Sequence, residues 1–154
     1  MATPYTVERR TTTTATPDRL HPFVADFRQW QRWSPWEGLD DNLRRTYSDP
    51  SSGVGAHYAW EGNRKAGAGT MDITGDTPHR VDVALAFTRP FPSRSRVELH
   101  LTPREDGGTE VVWRLVGELG TIAGLFAKVK SMDSLLGPDL ERGLRQLKQV
   151  AEGA

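Results

Sequence analysis

Five side chains in this sequence could carry proton chemistry: Asp26, Arg45, Tyr47, Tyr58 and Glu61. Each would need a pocket of apolar neighbours, where burial shifts the pKa of an ionisable group toward a useful range. A tyrosine or arginine aimed into such a pocket could polarise a carbonyl and favour an enolate. The plainer reading, which the residues favour, is that Tyr58 packs and Arg45 sits on an outer face. The four histidines, His21, His57, His79 and His100, lie far apart. No pair has the spacing of a helical metal site, and no carboxylate partner is implied for any of them. His57 and His100 alternate with apolar neighbours, which favours exposure. Ser34 precedes a proline and has no glycine-rich elbow around it. Gly53-Val54-Gly55 and Gly67-Ala68-Gly69 do not lead into a helix, so they read as turn or strand-bend glycines and not as phosphate loops. With no cysteine in the chain, disulfides, thiolate metal sites and cysteine nucleophiles are excluded. No metal and no cofactor is expected.

The stronger signal is aromatic. Of five tryptophans, Trp30, Trp33, Trp36 and Trp60 fall close together. Tryptophan has a large apolar body and one polar N–H, which suits it to places apolar at one end and wet at the other. The cluster joins a helical segment to a run of strands, where the mouth of a cavity would sit. Trp36 and Trp60 read as lining, whereas Trp113 and Phe87 are equally at home in a core. Phe126 and Met132 could form an opposite wall, and methionine suits adaptable contacts. Gly67 and Gly69 share strand parity with Met71 and Ile73. They either leave room on the concave face or mark a bend, and both can hold. The expected site is an elongated cavity lined by Trp36, Tyr58, Trp60, Met71, Phe87 and Met132. Trp33, Trp113, Phe126 and Leu136 complete the candidate ligand-binding set.

The elements that would position this set follow from patterning. The 5–15 stretch is rich in β-branched residues and reads as a strand. Thr16-Pro17-Asp18 is a helix start, with a capping hydroxyl, a proline at the first position and an acid at the positive end of the dipole. Leu20, Phe23, Val24 and Phe27 follow at helical spacing. A second short helical turn carries Trp30 and Trp33 until Ser34-Pro35 breaks it. Strands are expected at 43–48, 55–61, 66–75, 79–88, 94–103 and 109–118, separated by glycine, proline and aspartate turns. Val81, Val83 and Leu85, then Val97, Leu99 and Leu101, then Val111, Trp113 and Leu115 alternate with polar residues, so one sheet face is covered and the other wet. The cover is a terminal helix with Met132, Leu136, Leu140, Leu144, Leu147 and Ala151 on one stripe. Gly137-Pro138 predicts a kink there or a fresh helix start at Pro138. A weaker amphipathic stretch runs from Ile122 to Val129.

These pieces resemble the START-like superfamily, also called SRPBCC, and within it the polyketide cyclase/dehydrase-like branch. The residues that carry the resemblance are Trp33-Ser34-Pro35-Trp36, the run from Gly53 to Gly62, Gly67-Ala68-Gly69-Thr70-Met71, Leu85-Ala86-Phe87 with Pro90-Phe91, the run from Thr109 to Trp113, and Met132-Asp133 leading to the run from Leu140 to Lys148. The resemblance implies an α+β helix-grip fold: a curved antiparallel sheet of about seven strands around a long C-terminal helix, with two short helices after the first strand. It also implies a hydrophobic ligand (lipid, isoprenoid or polyketide-like) held between the sheet and that helix. Pro138 departs from the smoother helix of such relatives.

Bulk properties fit one domain over residues 1–154, since 36% hydrophobic and 26% charged residues are globular proportions. The formal net charge is zero, with both signs mixed, so no nucleic-acid partner is expected. No apolar run approaches the roughly 18 residues of a membrane span, and the N-terminus lacks a signal-like pattern, so a cytoplasmic location is expected. Three functions compete. A carrier of a small hydrophobic molecule needs only an apolar cavity. A cyclase, aromatase or dehydratase needs convergent ionisable groups inside it. A co-chaperone-like interaction module needs an exposed apolar patch. The sequence leaves the oligomeric state open.

Overall fold

Strand β1 (Thr3–Thr13) opens the chain and is followed by helices α1 (Pro17–Ala25) and α2 (Phe27–Trp30). Strands β2 (Arg44–Tyr47), β3 (His57–Glu61), β4 (Ala68–Thr77), β5 (Arg80–Arg89), β6 (Ser93–Pro103) and β7 (Thr109–Leu119) come next, and helix α3 (Met132–Gly153) closes it. This computed structural model describes residues 3–89, 92–119 and 132–153. The Ile122–Val129 stretch lies outside them.

The seven strands form one antiparallel sheet in the order β1-β7-β6-β5-β4-β3-β2. Successive antiparallel pairing makes β2 to β7 a meander, and β1 pairs back onto β7. β1 ends at Thr13, two residues earlier than expected. The Thr13 hydroxyl accepts from Ala15 N–H at 3.1 Å and donates to Glu152 at 2.6 Å, which turns the chain out of the ladder. The Thr16 hydroxyl caps α1 by accepting from Arg19 N–H. Asp26 ends α1 and caps α2, and its carboxylate also accepts from Ser51 at 2.7 Å. Trp33 falls in the turn after α2 and not in the helix.

Val81, Val83, Leu85, Val97, Leu99, Leu101, Val111, Trp113 and Leu115 are all buried, as their alternation requires. Leu140, Leu144, Leu147 and Ala151 of α3 pack into the same core. α3 runs unbroken through Pro138, so the fresh start does not occur. The proline removes one intrahelical bond, but Arg9 of β1 spans the position. Its guanidinium pairs with Asp133 at 2.8 Å and Glu141 at 2.9 Å, one on each side of Pro138.

Two glycines let rings lie flat on the sheet. Gly69 sits between Trp60 and Phe87 across adjacent strands, and those rings meet edge-to-face at 5.3 Å. Gly117 sits between Tyr5 and Ser95, and a Cβ there would come within 2.7 Å of the Tyr5 hydroxyl. The register also shifts between Ala68 and Gly69. Gly69 therefore both marks an irregularity and leaves room, but the Trp60 side chain takes that room. Gly67 is a turn glycine with φ +65°.

Candidate functional site

A pocket opens at the β2 end of the sheet, where α2, the 34–43 segment, β3 and β4 come together. Phe27 and Trp30 reach it from α2, three residues apart and so on one helix face. Ser34, Trp36, Glu37 and Leu43 come from the segment, Tyr58 and Trp60 from β3, and Met71 from β4. Tyr58 and Met71 are direct cross-strand partners, and so are Trp60 and Gly69. The alternation of β3 thus sends Tyr58 and Trp60 to one face, where their rings stack at 5.9 Å.

The lining rings belong to two runs of touching rings, some of which stand behind the walls. Tyr47, Tyr58, Trp60 and Phe87 form one, with centroid separations of 5.1, 5.9 and 5.3 Å. Phe27 joins Tyr58 to the other, made of Trp30, Trp33, Trp113 and Trp36. The pocket volume is about 30 Å³, room for one or two waters. A larger guest would need one of the walls to move.

Few polar groups reach it. Burial pushes the Tyr58 phenol above its ordinary pKa, and the Glu37 charge adds to the shift, so Tyr58 stays protonated and can donate. Glu37 pairs with Arg45 through both carboxylate oxygens, and that bond holds the Arg45 pKa up. Tyr47 is bonded to Gln31 and lies under the Arg28 guanidinium at 4.5 Å. Ser34 is buried and accepts from Trp36 N–H at 3.3 Å.

Four of the expected residues, Trp36, Tyr58, Trp60 and Met71, are brought together here. Others are not. Trp33 and Trp113 are fully buried in the core, and the Trp33 N–H donates to Phe23 O at 2.8 Å. Phe87 backs Trp60 without lining the space. Leu136 packs against the core from α3. Phe126 and the side chain of Met132 lie outside the described residues. Among the described residues, this pocket lies toward the β2 edge of the sheet, while Leu140, Leu144 and Leu147 of α3 are buried against the core. Phe27, Trp30, Ser34, Glu37 and Leu43 were missed as lining. Only the helical spacing of Phe27 and Trp30 could have signalled any of them.

Of the proton-chemistry candidates, only Tyr58 lines the pocket. Asp26 is a cap, Glu61 is exposed, and Arg45 reaches the site through Glu37. The histidines correct another expectation, because three have carboxylate partners. His21 meets Asp76 at 2.6 Å, His57 meets Asp72 at 2.6 Å, and His100 meets Glu98 at 2.9 Å. Strand pairing and helix–sheet packing create these contacts between residues far apart or two apart in sequence. Among the described residues, no three or more His, Cys, Asp or Glu side chains converge as a metal site. No helix among them is long and apolar enough to cross a membrane.

Residues 4–152 match the family described as polyketide cyclase/dehydrase and lipid transport. No curated protein matches. Solved structures share the fold at low identity. A protein of unknown function from Staphylococcus aureus superposes with TM-score 0.74 and 11% identity, covering 99% of this chain and 96% of the other. The Aha1 dimer from Colwellia psychrerythraea gives 0.60 and 16%, covering 94% and 96%. Ara h 8.0201 gives 0.62 and 12%, covering 99% and 100%. The curved seven-stranded sheet, its two short helices after β1 and its long C-terminal helix are the helix-grip fold.

Proposed function

Because the chain belongs to the polyketide cyclase/dehydrase and lipid transport family, we propose that it binds a small hydrophobic molecule, lipid, isoprenoid or polyketide-like, in the aromatic pocket. The observation that carries this reading is the make-up of the pocket. Among the described residues, seven apolar or aromatic side chains face one small space, with only Ser34 and Glu37 as further lining. Such a wall with few polar groups is what an apolar guest requires. Residues 1–154 acting as one domain and a cytoplasmic location belong to the same proposal.

Uptake requires a wall to move. The wall without regular secondary structure is the 34–43 segment, and its far end is latched to the β3–β4 turn. Asp40 accepts from Asn63 N–H at 2.8 Å, Leu39 O accepts from the Asn63 amide at 3.1 Å, and Leu43 packs toward Gly62. An exposed bond of this kind contributes about 1 kcal/mol. Asp40→Ala should therefore speed both uptake and release of N-phenyl-1-naphthylamine several-fold, with the equilibrium affinity little changed. Stopped-flow fluorescence measures both rates, and unchanged rates would remove the latch from the account. The function itself is tested by equilibrium titration of the wild type with the same uncharged fluorophore. A saturable rise with one site per chain is expected, and a flat titration refutes the proposal. Native mass spectrometry, followed by extraction, identifies any molecule the purified protein retains.

One observation favours a second reading, catalysis of a cyclase or dehydratase kind: two ionisable side chains, Tyr58 and Glu37, share the pocket. A phenol held protonated can donate to a carbonyl as charge develops on its oxygen. Tyr58→Phe would then abolish turnover of a polyketide-type substrate while leaving fluorophore affinity within about twofold. Equal turnover by the two proteins would exclude that role.

A further inference from the structure

The chain has five tryptophans, and three of them hold the indole N–H on a backbone carbonyl. Trp30 donates to Val24 O at 2.9 Å, Trp33 to Phe23 O at 2.8 Å and Trp60 to Ala66 O at 2.9 Å. Trp113 breaks the pattern. It is fully buried, and its Nε1–H has no hydrogen-bond partner among the described residues. Buried donors in folded proteins are nearly always paired, and leaving one unmet costs more than an ordinary bond contributes. The rings of Trp30, Trp33 and Trp36 stand at 76° to 85° to the Trp113 plane. A ring face is only a weak acceptor, which a carbonyl oxygen would outcompete.

The direction of this donor follows from covalent geometry. A Cβ on Gly143 of α3 would lie 2.6 Å from Trp113 Cζ3. In an indole, Cζ3 is the corner opposite Cε2, which bears the nitrogen. The N–H edge is therefore the edge turned away from Gly143. Two of the rings edge-on to Trp113, Trp30 and Trp36, are themselves walls of the pocket, at 6.3 and 5.7 Å. Trp113 thus lies one ring behind the pocket, and of the two intervening rings Trp36 is the one only partly buried.

We infer that Trp113 Nε1–H anchors the pocket's ligand, and that this ligand is an apolar molecule carrying a neutral hydrogen-bond acceptor, such as a ketone, ester or ether oxygen, at its buried end. The inference rests on the hydrophobic-molecule reading above. A neutral acceptor suits this depth because, among the described residues, no arginine or lysine is buried. A carboxylate taken to this depth would lose its water without gaining a counter-charge. A donor otherwise unpaired also gives discrimination, since an analogue without the oxygen leaves it unmet.

The test uses a matched pair, 1-tetralone and tetralin, which share a carbon skeleton and differ in one ketone oxygen. In the full chain, tetralone should move the Trp113 indole proton resonance downfield, and tetralin should not. Trp113→Phe keeps a ring and removes the donor. It should lower tetralone affinity about tenfold relative to tetralin affinity. An unmoved Trp113 resonance, or the same tetralone-to-tetralin affinity ratio in the variant and the wild type, overturns the anchor and leaves the hydrophobic-site reading standing. Failure of the wild type to bind either probe overturns both. Should the variant not fold, the wild-type resonance decides alone.

Discussion

Gly69→Ala should lower the stability of this protein by about 3 kcal/mol, near the upper end of the cost of overpacking. A strand glycine normally gains a little from alanine, through lower chain entropy when unfolded. Here the new methyl has no space. It would lie 2.3 Å from the Ala86 carbonyl oxygen and 2.6 Å from Trp60 Cη2. The tryptophan could tilt, but the carbonyl belongs to the β4–β5 ladder and cannot move without breaking it. The double variant Gly69→Ala/Trp60→Ala should therefore recover only part of the loss. Urea unfolding with the midpoints compared at constant m measures both. A Gly69→Ala midpoint equal to wild type would mean that the Trp60–Gly69–Phe87 row is not packed as described.

Trp60→Ala should weaken N-phenyl-1-naphthylamine binding about tenfold or more, the loss typical of an aromatic anchor. Trp60 stacks on Tyr58, meets Phe87 edge-to-face and holds the β3–β4 turn through its N–H bond to Ala66. Its ring is partly buried, so truncation costs about 2 kcal/mol of stability, less than the range for a fully buried tryptophan. The variant is thus expected to fold while losing one wall of the pocket. Circular dichroism establishes the folding, and fluorescence titration reads the affinity. A folded variant that binds the fluorophore like wild type would take Trp60 out of the site. Gly69→Ala should act in the same direction in the molecules that remain folded, because relief of the clash drives the Trp60 ring away from its seat.

Local chemistry made much of the architecture legible. Alternation along β5, β6 and β7 fixed which residues point inward, since a strand has a period of two and one covered face. Thr16-Pro17-Asp18 set the start of α1 within a residue, because capping, proline geometry and the helix dipole agree there. The leucine stripe on α3 identified the cover for the same reason of period. Pro138 left a kink or a fresh start open, and the sequence does not show that Arg9, more than a hundred residues earlier, pairs with Asp133 and Glu141 on either side of it.

The candidate site was half legible. Trp36, Tyr58, Trp60 and Met71 were chosen from residue type and strand parity, and those are local properties. What local properties could not decide is which of several similar rings faces space and which faces other rings. Trp33 and Trp36 are three residues apart and chemically identical. One is sealed in the core by its bond to Phe23, and the other stands at the pocket wall. The sequence by itself determined the elements, their order and their inward faces, because period, caps and turns act over a few residues. Only the tertiary structure decided where space remained, how large it was and which donor was left without a partner. Those are properties of how layers meet, set by side chains that the chain brings together from a distance.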